Sequence, residues 1–140
     1  MDNTAVLISI ARKRIHGYIL NRLRDNGVDG MATSHGDIIR RLLRQNSMTM
    51  GELSFELGKD PSTITTLIKK LVDFGYVRIE KDLRDRRATR VMLTKKGEAL
   101  KPVYEKISAE LYDKIYQGIK DDERKEFRRV LMKIIDNMNK

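Results

Sequence analysis

Cysteine and tryptophan are absent from this chain of 140 residues, and proline occurs only twice. Without cysteine there is no disulfide framework, no thiolate redox sensor and no zinc-finger site. No apolar run approaches the roughly 18 residues of a membrane-spanning helix. Near the start, the basic cluster follows the short apolar run instead of preceding it, which is the wrong order for a secretory signal. We therefore expect no membrane partner and a location in the cytoplasm of a prokaryote.

Signals of catalysis are also missing. The nine glycines are scattered, so the chain has no glycine-rich phosphate loop. No set of Ser, His and Asp is marked by a nucleophile elbow or a similar context. The sequence accordingly predicts a protein that is not an enzyme and that has no resident cofactor.

Positive charge, in contrast, is abundant and unevenly distributed. The net charge is +9, and residues 59–101 contain 12 Lys/Arg against 6 Asp/Glu, so this part of the chain carries most of the surplus. A localised basic surplus indicates a polyanionic partner such as double-stranded DNA. The hydrophobic fraction of 40% is enough for a core, and the length fits a single domain over residues 1–140.

A short helix is predicted directly after Asp60. This aspartate is a good N-cap, Pro61 has no amide to leave unpaired, and Gly75 suits the left-handed position after the last turn. Helical spacing gives one apolar stripe, which consists of Ile64, Leu67, Ile68, Leu71 and Val72. The opposite face carries hydroxyl groups and lysines that can contact bases and phosphates. We assign to DNA binding the residues Lys59, Ser62, Thr63, Thr65, Thr66, Lys69 and Lys70.

A β-hairpin follows this helix. Val77 and Ile79 alternate with polar residues, and Val91 and Leu93 do the same, which is the pattern of half-buried strands. The loop between them is basic but contains aspartates, so some charges are expected to position others. We predict that Asp85 pairs with Arg87 to brace the loop. The outward arginines assigned to DNA are Arg84, Arg86 and Arg87, because a narrow minor groove attracts such side chains.

Helices are predicted on both sides of this unit. The first spans residues 4–25 and the second begins near Ser34; a capping box of Thr49 and Glu52 then opens a short helix that leads through a glycine turn into Asp60. A helix, a short turn and a second helix form a helix-turn-helix. After the hairpin, Thr94 is expected to cap one long helix to about Gln117, with Pro102 bending it.

A last helix is predicted from Asp121, with an apolar stripe that includes Phe127 and Met138. A chain of this size has limited core to cover this stripe and that of the first helix. We therefore expect a second copy of the chain to cover them. Residues 1–30 and 98–140 are assigned to dimerisation, and residues 34–97 to a winged helix-turn-helix.

The order of these elements and the run DLRDRRATRVMLTKKGEAL resemble the MarR family of winged helix-turn-helix transcriptional regulators. The residues that match the family's wing pattern are Asp85, Arg87, Leu93, Thr94, Lys96 and Gly97. The resemblance implies a mainly α fold with a small β-hairpin wing. It also implies a homodimer that binds a palindromic operator, usually as a repressor. A small organic anion, often phenolic, commonly relieves repression in this family, from a pocket where the dimer helices meet the DNA-binding unit.

Two features depart from the family. Members often carry an arginine midway along the recognition helix, where this chain has Thr65 and Thr66, so arginine readout of guanine is not expected and an A·T-leaning operator is predicted. The lack of cysteine removes the peroxide-sensing branch. The alternative is a winged-helix module that contacts only proteins, although such a module does not need a basic wing.

The two histidines have several interpretations. His16 and His35, with Asp37, could in principle hold a metal ion, but two histidines without clustered carboxylates are a weak signal, and we assign no metal site. His16, Tyr18 and His35 are candidates to line the pocket of an organic effector. The simplest interpretation is that both histidines make ordinary hydrogen bonds.

Overall fold

A computed structural model describes residues 1–139 of the chain, so the last residue of the predicted region 98–140 lies outside the described part. The predicted mainly helical fold with a small antiparallel wing is confirmed. The elements are α1 (Thr4–Asp25), α2 (Thr33–Gln45), β1 (Ser47–Thr49), α3 (Met50–Leu57), α4 (Pro61–Asp73), β2 (Val77–Lys81), β3 (Thr89–Leu93), α5 (Lys95–Glu98), α6 (Lys101–Ile115) and α7 (Asp121–Met138).

The chain divides into two compact units, one from Met1 to Ile107 and one that begins at Ser108. The first unit contains the sheet, whose strand order is β1-β3-β2 with antiparallel neighbours. Strand β1 was not predicted, because a run of three residues has no readable alternation. Across residues 1–139, no helix combines the length and the apolar character that a membrane crossing requires.

The core of the first unit lies between helices α2, α3 and α4 and the sheet. Its fully buried side chains are Ile38, Ile39, Leu42, Met48, Leu53, Ile64, Ile68, Leu71 and Val91. Two predicted core positions are wrong: Val72 is 38% exposed and Ile79 is 50% exposed. Val72 lies at the margin of the helical stripe. Ile79 lies on edge strand β2, of which only Val77 is buried.

The long helix expected after the wing is two helices. Thr94 caps the short helix α5, where the Gly97 amide donates to Thr94 Oγ1 at 3.2 Å. Helix α6 then begins at Lys101, so Pro102 lies in its first turn and does not bend a continuous helix. Proline stops a preceding helix because its ring clashes with the carbonyl four residues earlier, and in a first turn its missing amide has no partner to lose.

The terminal helices leave apolar side chains in solvent. In the first unit, Leu23 of α1 is buried and Ile19 packs against the core, but the earlier turns of α1 expose Val6, Leu7, Ile8 and Ile10. In the second unit, helix α7 begins where the Lys120 amide donates to Glu123 Oε1 at 3.1 Å. Its exposed apolar side chains are Phe127, Val130, Met132, Ile135 and Met138.

Candidate nucleic-acid interface

Helices α3 and α4 form a helix-turn-helix whose ends are fixed by local hydrogen bonds. The predicted capping box is confirmed: the Glu52 amide donates to Thr49 Oγ1 at 3.1 Å, and the Thr49 amide donates to Glu52 Oε1 at 3.3 Å. Gly58 ends α3 in the left-handed conformation, with φ of +62°. The Thr63 amide then donates to Asp60 Oδ1 at 2.7 Å and starts α4. These caps orient the second helix relative to the first.

Helix α4 is amphipathic in the way that a recognition helix requires. Ile64, Ile68 and Leu71 are buried and fasten it to the core. Six of the residues assigned to DNA on this helix are exposed, and Lys59, just before it, is half-buried. The exposed residues are Ser62, Thr63, Thr65, Thr66, Lys69 and Lys70. A continuous polar face is thus available to a groove of duplex DNA.

Three of the hydroxyl groups on this face donate to the N-cap or to the backbone of the helix. Ser62 Oγ donates to Asp60 Oδ1 at 2.8 Å. Thr65 Oγ1 donates to the Pro61 carbonyl at 2.9 Å, and Thr66 Oγ1 donates to the Ser62 carbonyl at 3.1 Å. The Thr63 amide and the Ser62 hydroxyl lower the pKa of Asp60 below its ordinary value, because both donate to its ionised form.

The carboxyl end of α4 is joined to the start of α5 through backbone contacts. The Thr94 amide donates to the Tyr76 carbonyl at 3.0 Å, and Thr94 Oγ1 donates to the Gly75 carbonyl. Gly75 has φ of +82°, as predicted for the position after the helix. A Cβ on Gly97 would lie 2.1 Å from the Tyr76 carbonyl oxygen, so no side chain fits there.

Lys96 completes this junction. Its Nζ donates to the Phe74 carbonyl at 2.7 Å and lies 4.8 Å from the centroid of the Tyr76 ring. A cation near the last carbonyls of a helix is favoured by the helix dipole, and a cation over an aromatic face adds to the contact. The Leu-Thr and Lys-Gly steps of the wing pattern therefore have a structural role, since they fix the end of α4.

The base of the wing is held by a side-chain network that the sequence analysis missed. Arg90 Nη1 donates to Ser47 Oγ at 2.8 Å, and Arg90 Nε lies 3.4 Å from Asp82 Oδ1. Burial raises the pKa of Asp82, but the Arg84 amide and the Arg90 guanidinium outweigh it, so the net shift is downward. Ser47 belongs to β1, so the network ties the wing to the third strand of the sheet.

The tip of the wing is basic and exposed. Asp85 Oδ1 accepts hydrogen bonds from the Arg87 amide at 3.0 Å and from Arg87 Nε at 3.3 Å, although the Arg87 side chain is 93% exposed. Arg84 and Arg86 are exposed and form no ion pair with any of residues 1–139. Leu83, beside them, is 92% exposed. The tip therefore presents three guanidinium groups to solvent.

The predicted effector residues lie in two helices. His35 is 5% exposed, and its Nδ1 accepts a hydrogen bond from the Ala32 amide at 2.9 Å at the start of α2. The pKa of His35 is lowered mainly by burial and, to a smaller extent, by the positive charge of Lys70. His16 and Tyr18 are half-buried in α1. Within residues 1–139 no three His, Asp or Glu side chains are grouped as metal ligands.

A buried phenol was not singled out from the sequence as a polar group. The Tyr104 hydroxyl in α6 has no hydrogen-bond partner among residues 1–139, and burial raises its pKa to about 12. The added Cβ of an alanine at Gly36 would lie 3.4 Å from this hydroxyl. Tyr104 packs against the core of the first unit, and no sequence signal distinguishes a buried tyrosine hydroxyl from a solvated one.

A helix-turn-helix followed by a basic β-hairpin, which pairs with a short strand from before the two helices, defines a winged helix-turn-helix protein. The MarR family model matches residues 33–89. The chain is 30% identical to a MarR transcriptional regulator from Methanosarcina mazei Go1, with a TM-score of 0.82 over 96% of this chain and 94% of that one. The chain belongs to the MarR family of transcriptional regulators, whose members are dimeric DNA-binding proteins.

The chain is also similar to two further proteins. It is 27% identical to the HTH-type transcriptional regulator SarZ from Staphylococcus haemolyticus (strain JCSC1435), over 71% of this chain and 67% of SarZ. A mutant MarR from E. coli, solved in complex with operator DNA, has the same fold, with 19% identity and a TM-score of 0.83 over 93% of this chain and 91% of that one.

Proposed function

We propose that this chain is a homodimeric repressor that binds a palindromic operator, with α4 in the major groove and the wing in the flanking minor groove. The observation that carries the proposal is the exposed polar face of α4 beside a wing tip with three exposed arginines. Helices read base edges in the major groove, and arginines are attracted to narrow minor grooves. Such a regulator acts on chromosomal DNA, which requires a cytoplasmic location.

Dimerisation gives the proposal its geometry. The exposed apolar side chains of α1 and α7 need cover, and a second copy of the chain supplies the same apolar surface. Two copies related by two-fold symmetry place two recognition helices about one turn of DNA apart, roughly 34 Å, which matches a palindrome. Each α4 then reads one half-site.

We further propose that a small organic anion releases the operator. His16, Tyr18 and His35 are the candidate residues for its pocket, and the surplus of positive charge favours an anionic ligand. A ligand that binds better to a dimer with a different spacing of its recognition helices would shift the population toward that state. The affinity for DNA would then fall as the ligand concentration rises, and the affinity for the ligand would fall by the same factor when DNA is bound.

The decisive experiment measures binding of the full chain to a broad pool of duplex DNA as salt is raised. We expect the logarithm of the affinity to fall linearly with the logarithm of salt, by about 0.9 for each phosphate neutralised. Arg86→Ala should weaken binding roughly three- to tenfold across many sequences and reduce the salt slope by about one unit.

The matched control is Arg40→Ala, because Arg40 is an exposed arginine on α2 that is already paired with Asp37. Its removal should leave DNA affinity nearly unchanged. If Arg86→Ala left the affinity untouched, the wing assignment would be wrong. A folded dimer that ignored all duplex DNA at low salt would instead support a winged-helix module for protein contact.

A further inference from the structure

We infer that four residues at the start of α4 present hydrogen-bond acceptors only, and so read DNA through the amino groups of adenine or cytosine and not through the edge of guanine. The acceptor face consists of Asp60, Ser62, Thr65 and Thr66. This inference rests on the proposed function, because it concerns the half-site that α4 would contact. It concerns the base atoms that are read, which the resemblance to the family leaves open.

The direction of each hydrogen bond follows from the chemistry of its acceptor. Peptide carbonyls carry no proton, so the hydroxyls of Thr65 and Thr66 must donate to the carbonyls of Pro61 and Ser62, at 2.9 and 3.1 Å. The Asp60 carboxylate accepts from the Ser62 hydroxyl at 2.8 Å and from the Thr63 amide at 2.7 Å. Each hydroxyl has one proton and two lone pairs, so only lone pairs remain for a partner.

The major groove distinguishes such a face clearly. Guanine presents two acceptors, N7 and O6, whereas adenine presents the N6 amino group and cytosine the N4 amino group. If this acceptor face lay against guanine N7 and O6, acceptor would meet acceptor and no hydrogen bond could form. A hydroxyl that turned to donate to guanine would first break its bond to the helix. Thr65 and Thr66 are exposed, and their methyl groups also suit the thymine methyl, which favours adenine over cytosine as the source of the amino group.

The lysines do not alter this expectation for the first turns. Lys69 and Lys70 are donors, but they follow Thr66 along the helix, and Lys70 Nζ lies 5.7 Å from the centroid of the Phe74 ring, near the carboxyl end. In recognition helices the amino-terminal residues contact base edges. The lysines are better placed for phosphates, which carry no sequence information.

The test removes single atoms from the DNA. A half-site is first selected from random duplexes with the full-length protein. Each adenine within it is then replaced by nebularine, which lacks the N6 amino group, and each guanine by 7-deazaguanine, which lacks N7. We expect nebularine at one or more contacted positions to weaken binding roughly five- to tenfold. Substitution by 7-deazaguanine should change the affinity by less than about twofold, since guanine N7 accepts nothing from this face. Nebularine at a flanking position controls for weakened base pairing.

The protein side of the test uses Ser62→Ala, Thr65→Val and Thr66→Val, of which the valine variants keep the shape and the methyl group while removing the oxygen. At least one variant should lose the sensitivity to nebularine, and Thr33→Val on α2 should keep it. The inference would be overturned if 7-deazaguanine weakened binding roughly five- to tenfold, or if every variant kept its sensitivity to nebularine. Either result would leave the proposed DNA binding itself intact. Failure to bind any duplex would overturn both the inference and the proposed function.

Discussion

The end of the recognition helix and the tip of the wing are separated by one strand, yet they are built in opposite ways. Residues 74–76 and 94–97 meet through backbone hydrogen bonds, a lysine over a ring and a glycine that has no space for a side chain. Residues 82–88 carry most of their charge in solvent, and their one internal arginine pair involves a side chain that is 93% exposed.

This difference separates stability from binding. Contacts at the junction are short and involve backbone, so a change there must move the chain and reduce the free energy of unfolding. Charges at the tip are screened by water and contribute little to folding, but they remain available to phosphates. We therefore expect substitutions at the junction to act on folding, and substitutions at the tip to act on DNA affinity with the fold intact.

The largest effect is expected for Gly97→Ala. The new Cβ would lie 2.1 Å from the Tyr76 carbonyl oxygen and 3.0 Å from Leu93 Cδ2, so the wing and α5 would have to separate. We expect a loss of about 3 kcal/mol or more in the free energy of unfolding, measured by urea titration.

Gly51→Ala is the matched control, because the added Cβ would have only the Thr49 hydroxyl nearby, at 3.9 Å. In helix α3 this change should be neutral or stabilise the protein by up to about 1 kcal/mol. If the two variants were equally stable, the close contact at Gly97 would not govern the junction.

An intermediate effect is expected at His35, a buried histidine at the start of α2 that is also subject to the positive charge of Lys70. Burial and that charge lower the pKa of His35 in the folded state from its ordinary value of 6.5. As the pH falls, the unfolded chain therefore binds the proton before the folded chain does. The contribution of neutral His35 to the free energy of unfolding is complete above pH 6.5 and is lost as the pH falls through the folded-state pKa. Urea titrations at a series of pH values measure this slope.

His35→Asn keeps an acceptor near the Ala32 amide but has no group that titrates in this range. We expect it to flatten the dependence of stability on pH below 6.5, relative to the parent chain. An unchanged slope in this variant would mean that other groups, such as carboxylates, cause the acid sensitivity. The wing tip contains no histidine, so no slope near pH 6.5 is expected from that region, and the lowered pKa of Asp82 acts only at more acidic pH.

The smallest effect on folding is expected for Asp85→Ala at the tip. The variant loses the contacts with the Arg87 amide and guanidinium, of which the side-chain pair is exposed. Exposed pairs contribute little, so the free energy of unfolding should change by less than about 1 kcal/mol. A loss comparable to that of Gly97→Ala would contradict the contrast between the junction and the tip.

The sequence predicted those parts of the fold that depend on neighbouring residues. Helix α4 was bounded correctly because Asp60, Pro61 and Gly75 are local signals of its two ends. Strand β1 was missed because it has only three residues and exists through its pairing with β3. The contact between Ser47 and Arg90 was missed for the same reason, since it joins residues that are distant in sequence.

Pro102 shows a different kind of error. The sequence predicts that it bends one long helix, because Thr94 is the only cap expected before about Gln117. The structure uses it in the first turn of a new helix. The sequence shows that proline must disturb a helix at this position. Whether one helix bends there or a new helix begins depends on the tertiary contacts of the preceding turn. Here α5 ends at Glu98, directly after Gly97, which lies against the Tyr76 carbonyl.

The hydrogen bonds at the start of α4 also constrain how such a regulator can change over evolutionary time. Asp60 and Ser62 form the hydrogen bonds that cap the first turn, and both are also exposed to solvent. A substitution there that acquired a new target would also fray the helix, whereas Thr65 and Thr66 can be replaced without loosening a cap. Substitutions that change the DNA sequence bound should therefore accumulate first at Thr65 and Thr66, one turn further along, where they cost the least stability.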